Sequence, residues 1–317
     1  MTYQPTGIQD DLTTLPQLPR WVTSGHAETL ETVAFRSGSA LTVLDQFVAN
    51  ARYGVPVKLL ANRLALSAAT ATSKLEGRLA READIRDAYH LTPPGEARGP
   101  DGDLLAFWRK TVSVRKSGVG EIAELVSAEF AGEVGLWIDA GLERAWAHGP
   151  VAGCVAVLRA VLDADDRAER VACLLSDLVL ARAANWKTVL PVTAQRLTKG
   201  ALRNLTADDQ GAELAVQVRI LESIEETIRL ARDLARHAEA LRTVAPKLRA
   251  KGSAAAVALF LTEDAVAPAS MLSPRIHGTS IPMTDRAARR FCDRLVELGV
   301  ARELTGRPAF RLYGIVP

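Results

Sequence analysis

The chain has 317 residues, of which 48% are hydrophobic and only 5% aromatic, and its formal net charge is +2. This composition favours closely packed helices over a β-rich fold, and the length allows two domains with sizeable cores. Three scattered cysteines, with no signal-peptide pattern and no long apolar run, argue against a secreted or membrane protein. We therefore expect a cytoplasmic protein with no membrane partner.

The first 27 residues are polar and interrupted by prolines, which predicts an extended N-terminal arm with Trp21 docked on the body. Residues 28–246 form a predicted helical body because apolar residues recur there at helical spacing. The long apolar stripe of residues 211–244 suits body packing, and it also leaves open a connector or a homodimer seam. The helices are predicted at 28–49, 57–79, 82–90, 104–114, 121–131, 136–147, 151–162, 167–184 and 211–244.

Pro246 and Gly252 mark a boundary before a C-terminal domain, residues 247–317. Thr284 is a good helix N-cap, and Gly299 fits the left-handed position that ends a helix. Two strand-like runs, 300–304 and 308–313, flank a turn at 305–307. Further helices are predicted at 252–261 and 266–272. This order of helices followed by a hairpin predicts a winged helix-turn-helix.

The same C-terminal segment is basic. Between residues 275 and 311 there are eight arginines and only four acidic residues. Such a local excess of positive charge is typical of a surface that attracts phosphates, and it predicts double-stranded DNA as the partner. A basic winged domain that docks on another protein is the alternative. The candidate nucleic-acid contacts are Arg286, Arg289, Arg290, Arg294, Arg302, Arg307 and Arg311.

Two stretches of the body resemble motifs of Fic-domain AMP transferases. Residues 72–77 (TSKLEG) resemble the inhibitory-helix motif, with Glu76 as its acid. Residues 159–170 (RAVLDADDRAER) resemble a degenerate Fic signature, HPFx(D/E)GNGRxxR. The resemblance implies a vestigial phosphate or metal site at Asp163, Arg167 and Arg170. The alternative is an ordinary interhelical loop capped by an aspartate.

The resemblance also implies that the Fic reaction is lost. Arg159 stands at the position of the histidine base, and a guanidinium does not act as a base near neutral pH. Asp165 and Asp166 replace residues of the phosphate-binding turn, where their charge repels phosphate and their backbone lacks glycine's freedom. We therefore assign no catalytic residue.

The chain as a whole resembles the bacterial family known as domain of unknown function 1403. The resemblance rests on short stretches spread along nearly the whole sequence, and it implies a plasmid-associated setting and a winged C-terminus without supplying an activity. The stretches are 18–21 (LPRW), 86–91 (RDAYHL), 247–252 (KLRAKG), 285–290 (DRAARR), 303–308 (ELTGRP) and 310–314 (FRLYG).

Other chemistry has no motif here. The sequence contains neither a GxxxxGK(S/T) phosphate loop nor cysteine and histidine residues at zinc-binding spacing, so no cofactor or metal is predicted. The first hypothesis is a DNA-binding regulator of transcription or plasmid maintenance with a catalytically degenerate body. One alternative is a nucleotide-binding or nucleotidyl-transferring enzyme with a non-standard site. Another is an antitoxin-like interaction module that uses the Glu76 helix on a protein partner.

Overall fold

A computed structural model of the chain describes residues 15–25, 29–93, 95–114, 119–126, 128–248 and 251–315. Within these ranges the chain is mainly helical and has one small antiparallel sheet, as the sequence predicts. The helices are α1 (Arg20–Thr23), α2 (Leu30–Ala49), α3 (Val57–Leu75), α4 (Glu82–Leu91), α5 (Gly99–Ser113), α6 (Val119–Leu125), α7 (Val134–His148), α8 (Pro150–Ala164), α9 (Glu169–Ala183), α10 (Lys199–Thr206), α11 (Ala212–Val244), α12 (Ser253–Phe260) and α13 (Asp285–Glu297). The strands are β1 (Arg302–Glu303) and β2 (Tyr313–Gly314).

The longest helix, α11, holds the body together. Its apolar stripe is buried and runs along α2, and it also contacts α8 and α10. Burial of this stripe within one chain stabilises the body, and it uses the surface that a dimer seam would need. The structure therefore confirms the prediction that α11 packs in the core of the body.

Helices α7, α8 and α9 form a second tightly packed group. A Cβ atom on Gly141 of α7 would lie 2.3 Å from Cγ2 of Val157, and one on Gly153 of α8 would lie 2.5 Å from the carbonyl oxygen of Gly141. Only glycine permits this approach of the two backbones. The stretch that resembles the Fic signature, residues 159–170, covers the end of α8, the turn that follows and the first residues of α9.

The C-terminal unit follows α11 and contains α12, a short helical turn at Pro268–Leu272, α13 and the two strands. Tyr313 of β2 pairs with Glu303 of β1 on one side and bridges to Val266 on the other. In the core of this unit the rings of Phe260 and Phe291 lie 6.3 Å apart, centroid to centroid. The order is thus helix, extended residue, helical turn, helix, strand and strand.

The predicted strands 300–304 and 308–313 are longer than those observed. Pro308 has no N–H to donate, and Phe310 has a left-handed backbone with φ of 55°, so neither fits a regular ladder. Only two residues of each strand therefore pair. Helix α5 begins at Gly99 rather than at 104, with Pro100 in its first turn, a position that suits proline.

Most of the predicted N-terminal arm, residues 1–14 and 26–27, lies outside the described residues. Trp21 belongs to α1, and its ring centroid is 6.0 Å from that of Phe35 on α2. The indole nevertheless remains 70% exposed. Trp21 therefore contacts the surface of the body and does not enter its core.

Candidate nucleic-acid interface

Helix α13 presents an arginine-rich face to solvent. Thr284 caps the helix by accepting a hydrogen bond from the Ala287 N–H at 3.3 Å, as the sequence predicts. The inner face is buried through Ala288, Phe291 and Leu295. Because these residues fix the rotation of the helix, the opposite side must face water. The exposed arginines on that side are Arg286, Arg289, Arg290 and Arg294.

Two of these arginines have acidic neighbours on the same helix. Arg289 pairs with Asp285 at 2.9 Å, and Arg294 with Glu297 at 2.8 Å. Such exposed pairs are weak and exchange readily with other partners. Among the residues that the structure describes, Arg286 and Arg290 form no ion pair. The face therefore keeps a net positive charge.

The other three candidate arginines lie on the hairpin, one in β1 and two in the loop between β1 and β2. Arg302, Arg307 and Arg311 are all exposed. Arg307 is held against the body by Asp87 of α4, with 3.3 Å between Nη2 and Oδ2. The Nε of Arg311 donates to the Arg307 carbonyl at 3.1 Å. The hairpin is thus tied to the body on one side and exposes cations on the other.

Glu303 organises this turn from inside. Its carboxylate accepts hydrogen bonds from the backbone N–H groups of Thr305 and Gly306, at 2.8 and 2.7 Å. Partial burial alone would raise the pKa of Glu303, but the hydrogen bonds from Thr305 and Gly306 lower it overall. Gly306 has φ of 65°, the left-handed conformation that the turn requires. The Glu303 carboxylate therefore stabilises the conformation of the loop, and its negative charge is directed towards the backbone N–H groups of the loop.

A buried carboxylate joins the C-terminal unit to the body. Asp264 is fully buried; its oxygens lie 2.5 Å from Nη1 of Arg109 and 3.2 Å from Nε2 of His90. Burial alone would raise the pKa of Asp264, but His90, Arg109 and Arg63 lower it overall. The ionised carboxylate thus connects three cationic or polar side chains of α3, α4 and α5 to the segment after α12.

Further contacts fix the same boundary. Arg63 donates to the Ile315 carbonyl, and Asn62 to the Thr262 carbonyl at 2.8 Å. Arg86 donates to the Leu304 carbonyl at 3.0 Å. Sequence analysis missed this network because its members lie more than 150 residues apart. The one available signal was the polar stretch 262–264 (TED), which stands between the apolar runs 254–261 and 265–268.

The Fic-like stretches meet each other in the folded chain. Arg170 binds the Glu76 carboxylate through both Nε and Nη2, each at 2.7 Å, across 94 positions of sequence. Arg159 instead pairs with Asp208 at 2.6 Å. Glu76 and Arg170 are both partly buried, which makes this two-point contact stronger than a surface pair. The folded chain thus brings together the two segments that resemble Fic motifs.

The remaining residues of the proposed vestigial site do not converge with that pair. Asp163 and Arg167 are exposed. The Asp165 carboxylate accepts the backbone N–H of Arg167 at 2.9 Å, which closes an aspartate turn. The backbone N–H of Arg167, which a phosphate-binding turn would offer to its ligand, is therefore already hydrogen-bonded to the Asp165 carboxylate.

Asp177 of α9 is a second buried acid that sequence analysis missed. One oxygen accepts the backbone N–H groups of Val192 and Thr193, at 2.9 and 2.8 Å. Its other oxygen has no hydrogen-bond partner among the described residues. Burial raises the pKa of Asp177 to about 7. No described group of three or more histidine, cysteine or acidic residues is arranged to hold a metal ion.

A family model described as "Protein of unknown function (DUF1403)" matches residues 6–315 of the chain. No match was found among curated proteins or among solved structures. Among the described helices, none has the length and apolarity needed to cross a membrane. Because the family model spans almost the whole sequence, the chain belongs to the DUF1403 family.

Proposed function

We propose that this member of the DUF1403 family is a DNA-binding protein that regulates transcription or plasmid maintenance in the cytoplasm. Its C-terminal unit acts as a winged helix-turn-helix, with α13 as the recognition helix and the β1–β2 loop as the wing. The observation that carries the proposal is the exposed arginine face of α13 beside a hairpin that exposes three further arginines.

The order of elements supports this assignment. Helix α12, the Val266 bridge, the Pro268–Leu272 turn, α13 and the two strands follow one another as the elements of a winged helix do. The buried side of α13 is apolar, so its outer side is free to enter a major groove. The hairpin lies on the same unit and offers arginines to the neighbouring phosphates.

Charge supports a nucleic-acid partner. Of the seven candidate arginines, those without an ion-pair partner among the described residues are Arg286, Arg290, Arg302 and Arg311. Each arginine that neutralises a phosphate releases about one counterion, so four to seven contacts predict a salt dependence of about the fourth to sixth power. A surface that docks on protein has no reason to show so steep a dependence.

The body is, in this proposal, a Fic-like domain without the Fic reaction. The contact between Glu76 and Arg170 supports a Fic-like body, because it joins the two stretches that resemble Fic motifs. Arg159 in place of the base and Asp165 within its own turn argue against phosphate transfer. Since Glu76 is engaged inside its own chain, it is not displayed for a partner protein.

The proposal is tested by selecting ligands from a pool of random DNA duplexes with the purified full chain. We expect one sequence class to be enriched, and Arg290→Ala to bind the selected duplex about tenfold more weakly. The matched control is Arg203→Ala, an exposed arginine on α10 of the body, which should bind as the wild type does. Absence of any enrichment, or equal loss in both variants, would overturn the assignment of α13.

A further inference from the structure

A cleft lies between the body and the C-terminal unit, next to the arginine face of α13. Its volume is about 640 Å³, which is within the range of small-molecule sites. The end of α4, the Pro268–Leu272 turn, α13 and the β1–β2 loop all contribute to its walls. Because four separate segments meet here, the cleft is formed by the tertiary fold.

Phe310 stands at this cleft with its ring turned to solvent. The side chain is 76% exposed, and its backbone φ of 55° is unusual for a residue other than glycine. A left-handed conformation is unfavourable at a bulky residue, and water contact with the ring is also unfavourable. Strained residues of this kind cluster at ligand sites. Pro93 and Pro308 extend the apolar wall beside the ring.

The charge of the cleft is positive. Arg289 and Arg311 contribute two cations, and Asp293 contributes one anion that accepts a hydrogen bond from the Tyr313 hydroxyl at 3.2 Å. The pairing of Arg289 with Asp285 is at the surface and exchanges readily. His90 also reaches the cleft, but its ring is bonded to Asp264. The side chains that line the cleft therefore carry a net charge of +1, which the Asp285 carboxylate offsets in part at the Arg289 side.

We propose that this cleft binds a small planar aromatic molecule with a single negative charge, an aromatic carboxylate. The ring of the ligand would stack on Phe310 and lie against Pro93 and Pro308. Its carboxylate would take hydrogen bonds from Arg289 or Arg311, where charge and donor geometry suit two oxygens. The apolar wall selects the ring and the arginines select the anion.

The experiment is a calorimetric titration of the full chain, without DNA, with 1-naphthoate. The neutral 1-naphthamide and the non-aromatic cyclohexanecarboxylate are titrated in parallel. We expect naphthoate to bind, naphthamide to bind about tenfold more weakly because it lacks the charge, and cyclohexanecarboxylate about fivefold more weakly because it cannot stack. Equal binding of all three, or no binding of naphthoate at millimolar concentration, would overturn the proposal.

Variants locate the site. Phe310→Ala should weaken naphthoate binding about fivefold, and because the ring is exposed its removal leaves the fold intact. Phe35→Ala removes another exposed phenylalanine, on α2 and outside the cleft, and should have no effect. An equal effect of the two variants would contradict the site. Since no DNA is present, failure here leaves the DNA-binding proposal untouched, and failure of DNA binding leaves this result untouched.

Discussion

Asp264 provides a direct test of how the two units are joined. The change Asp264→Asn keeps the shape of the side chain and removes its charge. In the wild type the carboxylate is fully buried and lies 2.5 Å from Nη1 of Arg109, with Arg63 and His90 beside it. Without it, the buried guanidinium groups of Arg109 and Arg63 lose their shared counter-charge.

Removal of one partner from a buried ion pair costs roughly 3 to 5 kcal/mol. Glu263 still contacts Arg109 in the variant, so we expect the lower value, about 3 kcal/mol. For a chain of this size that loss corresponds to a decrease of about 5 °C in Tm. Differential scanning calorimetry at neutral pH measures it directly.

The control is Asp84→Asn, which removes an acid from an exposed pair with Arg81 and should leave Tm almost unchanged. The pH dependence adds a second test. Because the native pKa of Asp264 is lowered, its contribution is present above the ordinary aspartate range and should decline as the pH falls below about 4. If Asp264→Asn cost no more than Asp84→Asn, the reasoning would be refuted.

Three further predictions concern the body. Asp177→Asn should have a larger free energy of unfolding than the wild type at pH 8.5, and the difference should shrink by about 4 kcal/mol towards pH 4. The reason is that burial raises the pKa of Asp177 to about 7, so the wild-type protein loses stability as the pH rises and this carboxyl ionises. Denaturation at several pH values measures this, and a pH-independent difference would count against it. Glu76→Gln should lower Tm more than Glu226→Gln, because the Glu226–Arg196 pair is more exposed than the Glu76–Arg170 pair. Equal decreases of Tm in calorimetry would show that the Arg170 contact adds no more stability than a surface pair. Millimolar ATP with Mg²⁺ should leave Tm unchanged, because Asp165 and Glu76 already occupy the groups that a phosphate would use; a rise that disappears in Asp163→Ala would show that the site still binds nucleotide.

Most of the helices were predictable because their signals are local, although α10 was not predicted and α6 ends at Leu125 rather than at 131. Thr284 and Gly299 delimit α13 by N-capping and by a left-handed φ of 71°, and both act as their residue types predict. The long apolar stripe of α11 likewise determines which side of the helix is buried. The arginines on the outer side of α13 followed from the same periodicity.

Other features depended on partners that are distant in sequence. The short strands reflect Pro308 and the left-handed backbone of Phe310, and the latter is set by the folded loop. Asp87 of α4 binds Arg307 of the hairpin, 220 positions further along the chain. No periodic pattern in the sequence predicts this ion pair or the one between Asp264 and Arg109. Each partner is a charged residue that nothing in its own segment distinguishes from a solvent-exposed one.

The salt dependence of DNA affinity shows whether the arginine face of α13 binds DNA phosphates, as we propose. The measurement is the slope of log Kd against log salt for the selected duplex, with the wild type, the double variant Arg286→Ala/Arg290→Ala, and Arg203→Ala. We predict a steep wild-type slope that falls by about two in the double variant and stays unchanged in the control. A shallow wild-type slope, or the same slope in all three proteins, would show that the arginine face of α13 does not bind DNA phosphates.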